Sequence, residues 1–150
     1  MRGFVIFVAL IISISGITYS REVPFEKCAS PCGELDSVDV TPCDGEPCVI
    51  RRGTNETIGV TFTPNEVVNS GKIHLYAIKW GMRKELPLKN PYACKGYGLT
   101  CPLKKGIAQT LSFTDTVPQD VPSVSLKLQA TLVDENGDSV VCGIIAVKIV

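Results

Sequence analysis

From residue 124 the chain alternates strictly, with Val124, Leu126, Leu128, Ala130 and Leu132 on one parity and Ser125, Lys127, Gln129 and Thr131 on the other. A period of two marks an extended strand with one face in a core and one in water. Ile58, Val60 and Phe62 repeat the pattern against Thr57, Gly59, Thr61 and Thr63, and Pro64-Asn65 ends the run with turn chemistry. Between Ile73 and Trp80 both parities carry large apolar groups, so the outer face of that strand is expected to be partly covered. Further strands are expected at 38–41, 49–52, 107–114 and 140–150. Asp134-Glu135-Asn136-Gly137-Asp138 forms a tight turn between the last two runs. Helical periodicity is nearly absent. Seven or eight short strands separated by Gly, Pro and Asn turns predict an all-β, two-sheet antiparallel sandwich. The stretch 81–100 reads as a structured loop, because Pro87, Pro91, Gly96 and Gly98 interrupt any regular element.

The first twenty residues carry one charge, Arg2, then an apolar run from Phe4 to Ile14, then small and polar residues ending Thr18-Tyr19-Ser20. This is the layout of a secretory signal peptide; Ser13, Ser15 and Gly16 interrupt the run before it reaches the roughly 20 apolar residues a membrane span needs. The expected organisation is therefore a signal peptide at 1–20 and one domain at 21–150. Export places the seven cysteines in an oxidising compartment, where disulfides persist. The odd count leaves one thiol over. Asn55-Glu56-Thr57 is an N-glycosylation sequon and predicts an exposed Asn55. The whole chain has a formal net charge of +0, and both signs are interspersed, which argues against nucleic acid and polybasic membrane docking.

Several chemistries lack their residues. The single histidine, His74, alternates with apolar neighbours in a strand and has no nucleophile elbow to serve, so it reads as a solvent-facing strand residue. Glu34/Asp36, Asp115/Asp120 and Asp134/Glu135/Asp138 fall in or beside expected turns and read as solvated rather than as paired acid and base. Cysteine spacings of three, four and six intervening residues, with an isolated histidine, do not suit a zinc site. The expectation is a binding protein, not an enzyme, with no cofactor and no metal.

Specific blocks sharpen this. Val23-Pro24-Phe25-Glu26-Lys27-Cys28, Val38-Asp39-Val40-Thr41-Pro42-Cys43, Cys48 with the Arg52-Gly53 turn, Val60-Thr61-Phe62-Thr63, Asn90-Pro91-Tyr92-Ala93-Cys94, Cys101-Pro102-Leu103, Val121-Pro122-Ser123-Val124 and a late Cys142 occur in order. Together they resemble the Niemann-Pick type C2 family, part of the ML lipid-recognition group that also contains the group 2 mite allergens. The resemblance spans nearly the whole of 21–150. It implies an immunoglobulin-like sandwich with three disulfides, Cys28-Cys142, Cys43-Cys48 and Cys94-Cys101. Cys32 has no counterpart there. It is left to compete for Cys142, to stay buried and inert, or to link two chains.

The same resemblance implies that the two sheets splay and leave an apolar pocket, with Leu75, Leu86, Val117 and Val121 at the pocket and its mouth. Strand alternation adds Phe62, Ala77, Leu126 and Leu128 as lining. Tyr92 and Tyr97 are expected at the rim. Trp80 and Met82 are expected where the strand leaves the sheet near the mouth, with basic Arg83 and Lys84 beside them, as a place to touch a membrane or an acceptor protein. Leu86 and Val121 are aliphatic where the family's sterol carriers have rings, so a flexible acyl chain suits them as well. The implied function is lipid binding and transfer, of a sterol or a fatty acid, by a secreted monomer in extracellular fluid or the endosomal and lysosomal lumen. Presentation of a microbial lipid in innate immunity and carriage of hydrophobic semiochemicals are the alternatives.

Overall fold

The computed structural model describes residues 20–150, so the expected signal peptide lies, but for Ser20, outside the described residues. Ten strands follow one another: β1 (Arg21–Glu22), β2 (Glu26–Lys27), β3 (Gly33–Thr41), β4 (Cys48–Ile50), β5 (Asn55–Pro64), β6 (Gly71–Lys79), β7 (Met82–Leu86), β8 (Gln109–Thr116), β9 (Val124–Asp134) and β10 (Ser139–Ile149). They form a four-stranded sheet in the order β1-β3-β5-β8 and a six-stranded sheet in the order β2-β10-β9-β6-β7, with β4 also on β10. No helix occurs among the described residues. Pairings are antiparallel except β4 with β10, which run parallel.

Four of these strands correct the sequence reading. β7 lies inside the stretch expected to be a loop, and it forms a hairpin with β6 in the register Ala77 to Lys84 and Lys79 to Met82. Its Met-Arg-Lys-Glu-Leu sequence shows no alternating core face because it is an edge strand, where charged side chains block pairing with another chain. β3 starts five residues before the expected Val38, and a register shift between Leu35 and Ser37 breaks its parity. β1 and β2 are two-residue pieces too short to leave any periodic signal. The expected Asp134–Asp138 turn is present, but Asp134 is buried rather than solvated, with its Oδ1 accepting the backbone N–H groups of Asn136 and Asp138 at 2.9 Å each.

The two sheets meet at one end. Cys32 N–H donates to the Ser139 carbonyl at 3.1 Å, and a Cβ on Gly33 would collide with the Val140 carbonyl, so only glycine fits there. Here Phe62, Leu35, Ile73, Leu103, Leu111, Leu132 and Val140 are buried together as a packed core. Tyr97 and Leu99, from the segment tied by the Cys94–Cys101 disulfide, close this end. Cys28 is joined to Cys142 across 114 residues and Cys43 to Cys48 across 5.

Cys32 is free and buried among this core. Desolvation first, then the nearby Glu66 carboxylate, pushes its thiol up to about 11. The thiolate is the reactive form, so at neutral pH this thiol is inert. Iodoacetamide at pH 8 is expected to leave Cys32 unmodified in the native protein and to label it once in denaturant; rapid native labelling would contradict the burial.

Candidate functional site

At the other end the sheets part. Four strands trace the same gradient, from packed core to open space. β5 runs from Phe62 through Val60 and Ile58 to Glu56, and β8 from Leu111 through Phe113 to Asp115. On the facing sheet β6 runs from Ile73 to Leu75 and Ala77, and β9 from Leu132 through Ala130 to Leu128 and Leu126. The first of each series is buried in the core, and most of the later ones border a cavity of about 410 Å³. A narrow extension of about 30 Å³ continues inward between Val38, Val60, Ala130 and Ile145. The main cavity lies within the roughly 300–1,000 Å³ typical of small-molecule sites. A separate hollow of about 430 Å³ lies outside the sandwich, where Arg21, Glu22 and Glu46 interrupt the apolar Val23, Pro24 and Pro47.

The deep wall is apolar: Ile50, Val147 and Ile149 are buried there, with Ile58, Leu128 and Phe113 half-buried. Towards solvent, the lining ends in exposed Pro87, Asp115, Thr116 and Pro118. These belong to β7, β8 and the segments that continue them. The mouth therefore opens between the free edges of the two sheets.

Seven sequence-predicted residues stand on this cavity: Leu75, Ala77, Leu86, Val117, Val121, Leu126 and Leu128. Phe62 does not. It is on the inward face, opposite Leu35, but sits fully buried where the sheets have already converged. Tyr97 is not a rim residue either, for its ring stacks on Phe113 with centroids 6.2 Å apart and its hydroxyl donates to the Asn90 carbonyl. Burial raises its phenol pKa. Tyr92 is exposed, away from the lining, with Lys72 and Lys95 near its ring at 6.0 and 5.7 Å.

Trp80 and Met82 do not line the cavity. They project from the β6–β7 hairpin, 88% and 73% exposed. Trp80 and Gly81 both have positive φ, at 51° and 72°, the backbone of a two-residue type I′ turn. That conformation favours Asn or Gly; a tryptophan there is strained and places a large ring in water. Lys79 approaches the Trp80 ring at 5.1 Å, and Arg83 lies over Tyr76 at 4.3 Å on the outer face of β6. His74 shares that outer face and pairs with Glu85 at 2.8 Å.

Residue reading alone missed Glu56, Ile58, Phe113 and the floor residues Ile50, Val147 and Ile149. Parity held the signal for Glu56, which shares a face with Ile58, Val60 and Phe62; its charge hid it. Asn55, next to it, is exposed.

Comparison with known proteins agrees with this architecture. Residues 22–149 match the family described as ML domain. The NPC intracellular cholesterol transporter 2 of Sus scrofa is 30% identical over 142 residues, covering 93% of each chain. Mite group 2 allergen Gly d 2.02 of Glycyphagus domesticus is 32% identical over 116 residues, 77% of this chain and 90% of that one. The crystal structure of a Niemann-Pick type C2 protein from Japanese carpenter ant superposes with a TM-score of 0.81 at 27% identity, covering 85% of this chain and all of that one. An all-β sandwich with three disulfides, parted at one end around an apolar cavity, thus goes with a match over nearly every described residue: the chain belongs to the ML domain family.

Proposed function

We propose that the protein is a secreted, soluble carrier that holds a sterol or a fatty acid in the cavity between its sheets and transfers it through an aqueous lumen. The observation that carries this reading is the unfilled apolar space itself. Sandwich sheets ordinarily interdigitate at about 10 Å and leave no room, whereas here aliphatic walls face a void of about 410 Å³. Burying hydrocarbon there is favourable by about 0.8 kcal/mol per methylene, ample for a long tail even after ordering costs. The cholesterol transporter of Sus scrofa supports a sterol as cargo by its likeness to this chain. The test is extraction and mass spectrometry of lipids held by the natively secreted protein, followed by displacement with cholesterol and with oleate. Finding no co-purified lipid and no binding of either would end the carrier reading.

The β6–β7 hairpin is the part of the reading that concerns delivery. Its exposed Trp80 and Met82, flanked by Lys79, Arg83 and Lys84, suit contact with an anionic membrane surface, the ring entering the interface and the cations meeting the headgroups. Trp80→Asn, which fits the type I′ turn, is expected to raise stability by about 1 kcal/mol. It is also expected to slow transfer to phosphatidylserine vesicles several-fold while leaving equilibrium affinity in solution unchanged. An unaltered transfer rate would show that delivery does not use this hairpin.

A further inference from the structure

The carrier reading leaves open what distinguishes one cargo from another, and one residue in the cavity wall bears on that choice. Glu56 lines the cavity yet is only 6% exposed, and its Oε2 has no hydrogen-bond partner among the described residues. A buried, unpartnered oxygen of this kind is costly, so it calls for a partner supplied from elsewhere. Asp115 faces it directly from the neighbouring strand, with both side chains on the cavity lining. Asp115 differs in being exposed, and its Oδ1 already accepts the Thr116 N–H at 2.8 Å. The described lining holds these two acids and no Lys, Arg or His.

We propose, resting on the carrier reading, that Glu56 is the polar recognition point of the cavity and selects lipids whose head is a neutral hydroxyl, such as sterols and long-chain alcohols, over ionised fatty acids. A hydroxyl donates its proton to the unpartnered oxygen and replaces the water it leaves behind. A carboxylate head has no proton to donate and meets two acids on a lining that carries no Lys, Arg or His, since Arg51, which acts on Glu56, stands off that lining. Burial raises the Glu56 carboxyl above its ordinary value, with nearby Asp44 adding to the rise and neighbouring Arg51 and Thr54 opposing it.

The test uses two probes with the same tail, radiolabelled oleyl alcohol and oleate, bound to the delipidated full-length protein at pH 7.4. The wild type is expected to prefer the alcohol by about tenfold, the equivalent of about 1.4 kcal/mol. Glu56→Leu should weaken alcohol binding and strengthen oleate binding, cutting the preference to about threefold or less, the remainder due to Asp115. Glu56→Gln keeps an acceptor without the charge. It should hold the alcohol about as tightly as wild type while gaining oleate affinity, and it tests the proposal even if the leucine variant misfolds. Equal binding of both probes by the wild type, or an undiminished preference in the folded glutamine and leucine variants, would overturn the role of Glu56 while leaving the carrier reading intact. Binding of neither probe by the wild type would instead remove the carrier reading, and this proposal with it.

Discussion

Ala77→Phe is expected to weaken lipid binding severely while the protein stays folded. Ala77 faces the cavity from β6, between Leu128 of β9 and Lys84 of β7 in the ladder. The added ring has open space to enter, so it does not overpack a filled core, and the variant should be as stable as wild type or slightly more so. It takes the room of about four cargo methylenes, at about 0.8 kcal/mol each, and affinity should fall about two-hundredfold. Binding of radiolabelled cholesterol, read beside a thermal melt, separates the two effects. A folded variant with undiminished affinity would place the cargo outside this cavity.

Removing the Cys28–Cys142 bridge should produce the largest loss of stability of any change described above. It spans 114 residues, so in the chain-entropy view it removes roughly 4–5 kcal/mol of disorder from the unfolded state, against about 2 kcal/mol for each of the two short bridges. The effect is structural as well. The bond fastens the segment after β2 to the middle of β10, where Cys28 N–H also donates to the Cys142 carbonyl at 3.2 Å. A sandwich parted at one end has less core to hold it together and depends more on such fastening. Cys28→Ala with Cys142→Ala, measured without lipid, is expected to melt roughly 15 °C lower. A loss below about 1 kcal/mol would mean that the unfolded chain is already restrained by other means.

Much of this was legible from the chain. Strict alternation in β9 gave Leu126 and Leu128 their cavity-facing side, and the less regular alternation of β6 added Ala77, whereas Leu75 came from the family resemblance. Alternation reports which face a side chain occupies and nothing about depth along the strand, so Phe62, correctly turned inward, was expected at a cavity that ends before reaching it. Where the sheets converge depends on contacts between residues far apart in sequence, such as Gly33 against Val140. β7 was invisible because an edge strand has no buried face of its own to advertise. Leu86, Val117 and Val121 lie in segments without useful periodicity, and it was the family resemblance that singled them out. Glu56 was overlooked for the opposite reason: the pattern was clean, but a carboxylate on an inward face runs against the usual sorting of charge to the surface.

The separation of packed core from open cavity has a consequence for how such a protein diversifies. Around Phe62, Leu103 and Val140 every side chain is held by neighbours, so a change of volume there is felt by the whole molecule. Around Ala77, Leu86 and Val121 the side chains border empty space, and a substitution alters the shape of the hollow before it disturbs anything else. The shape of such a hollow can therefore change by single substitutions without passing through unstable intermediates.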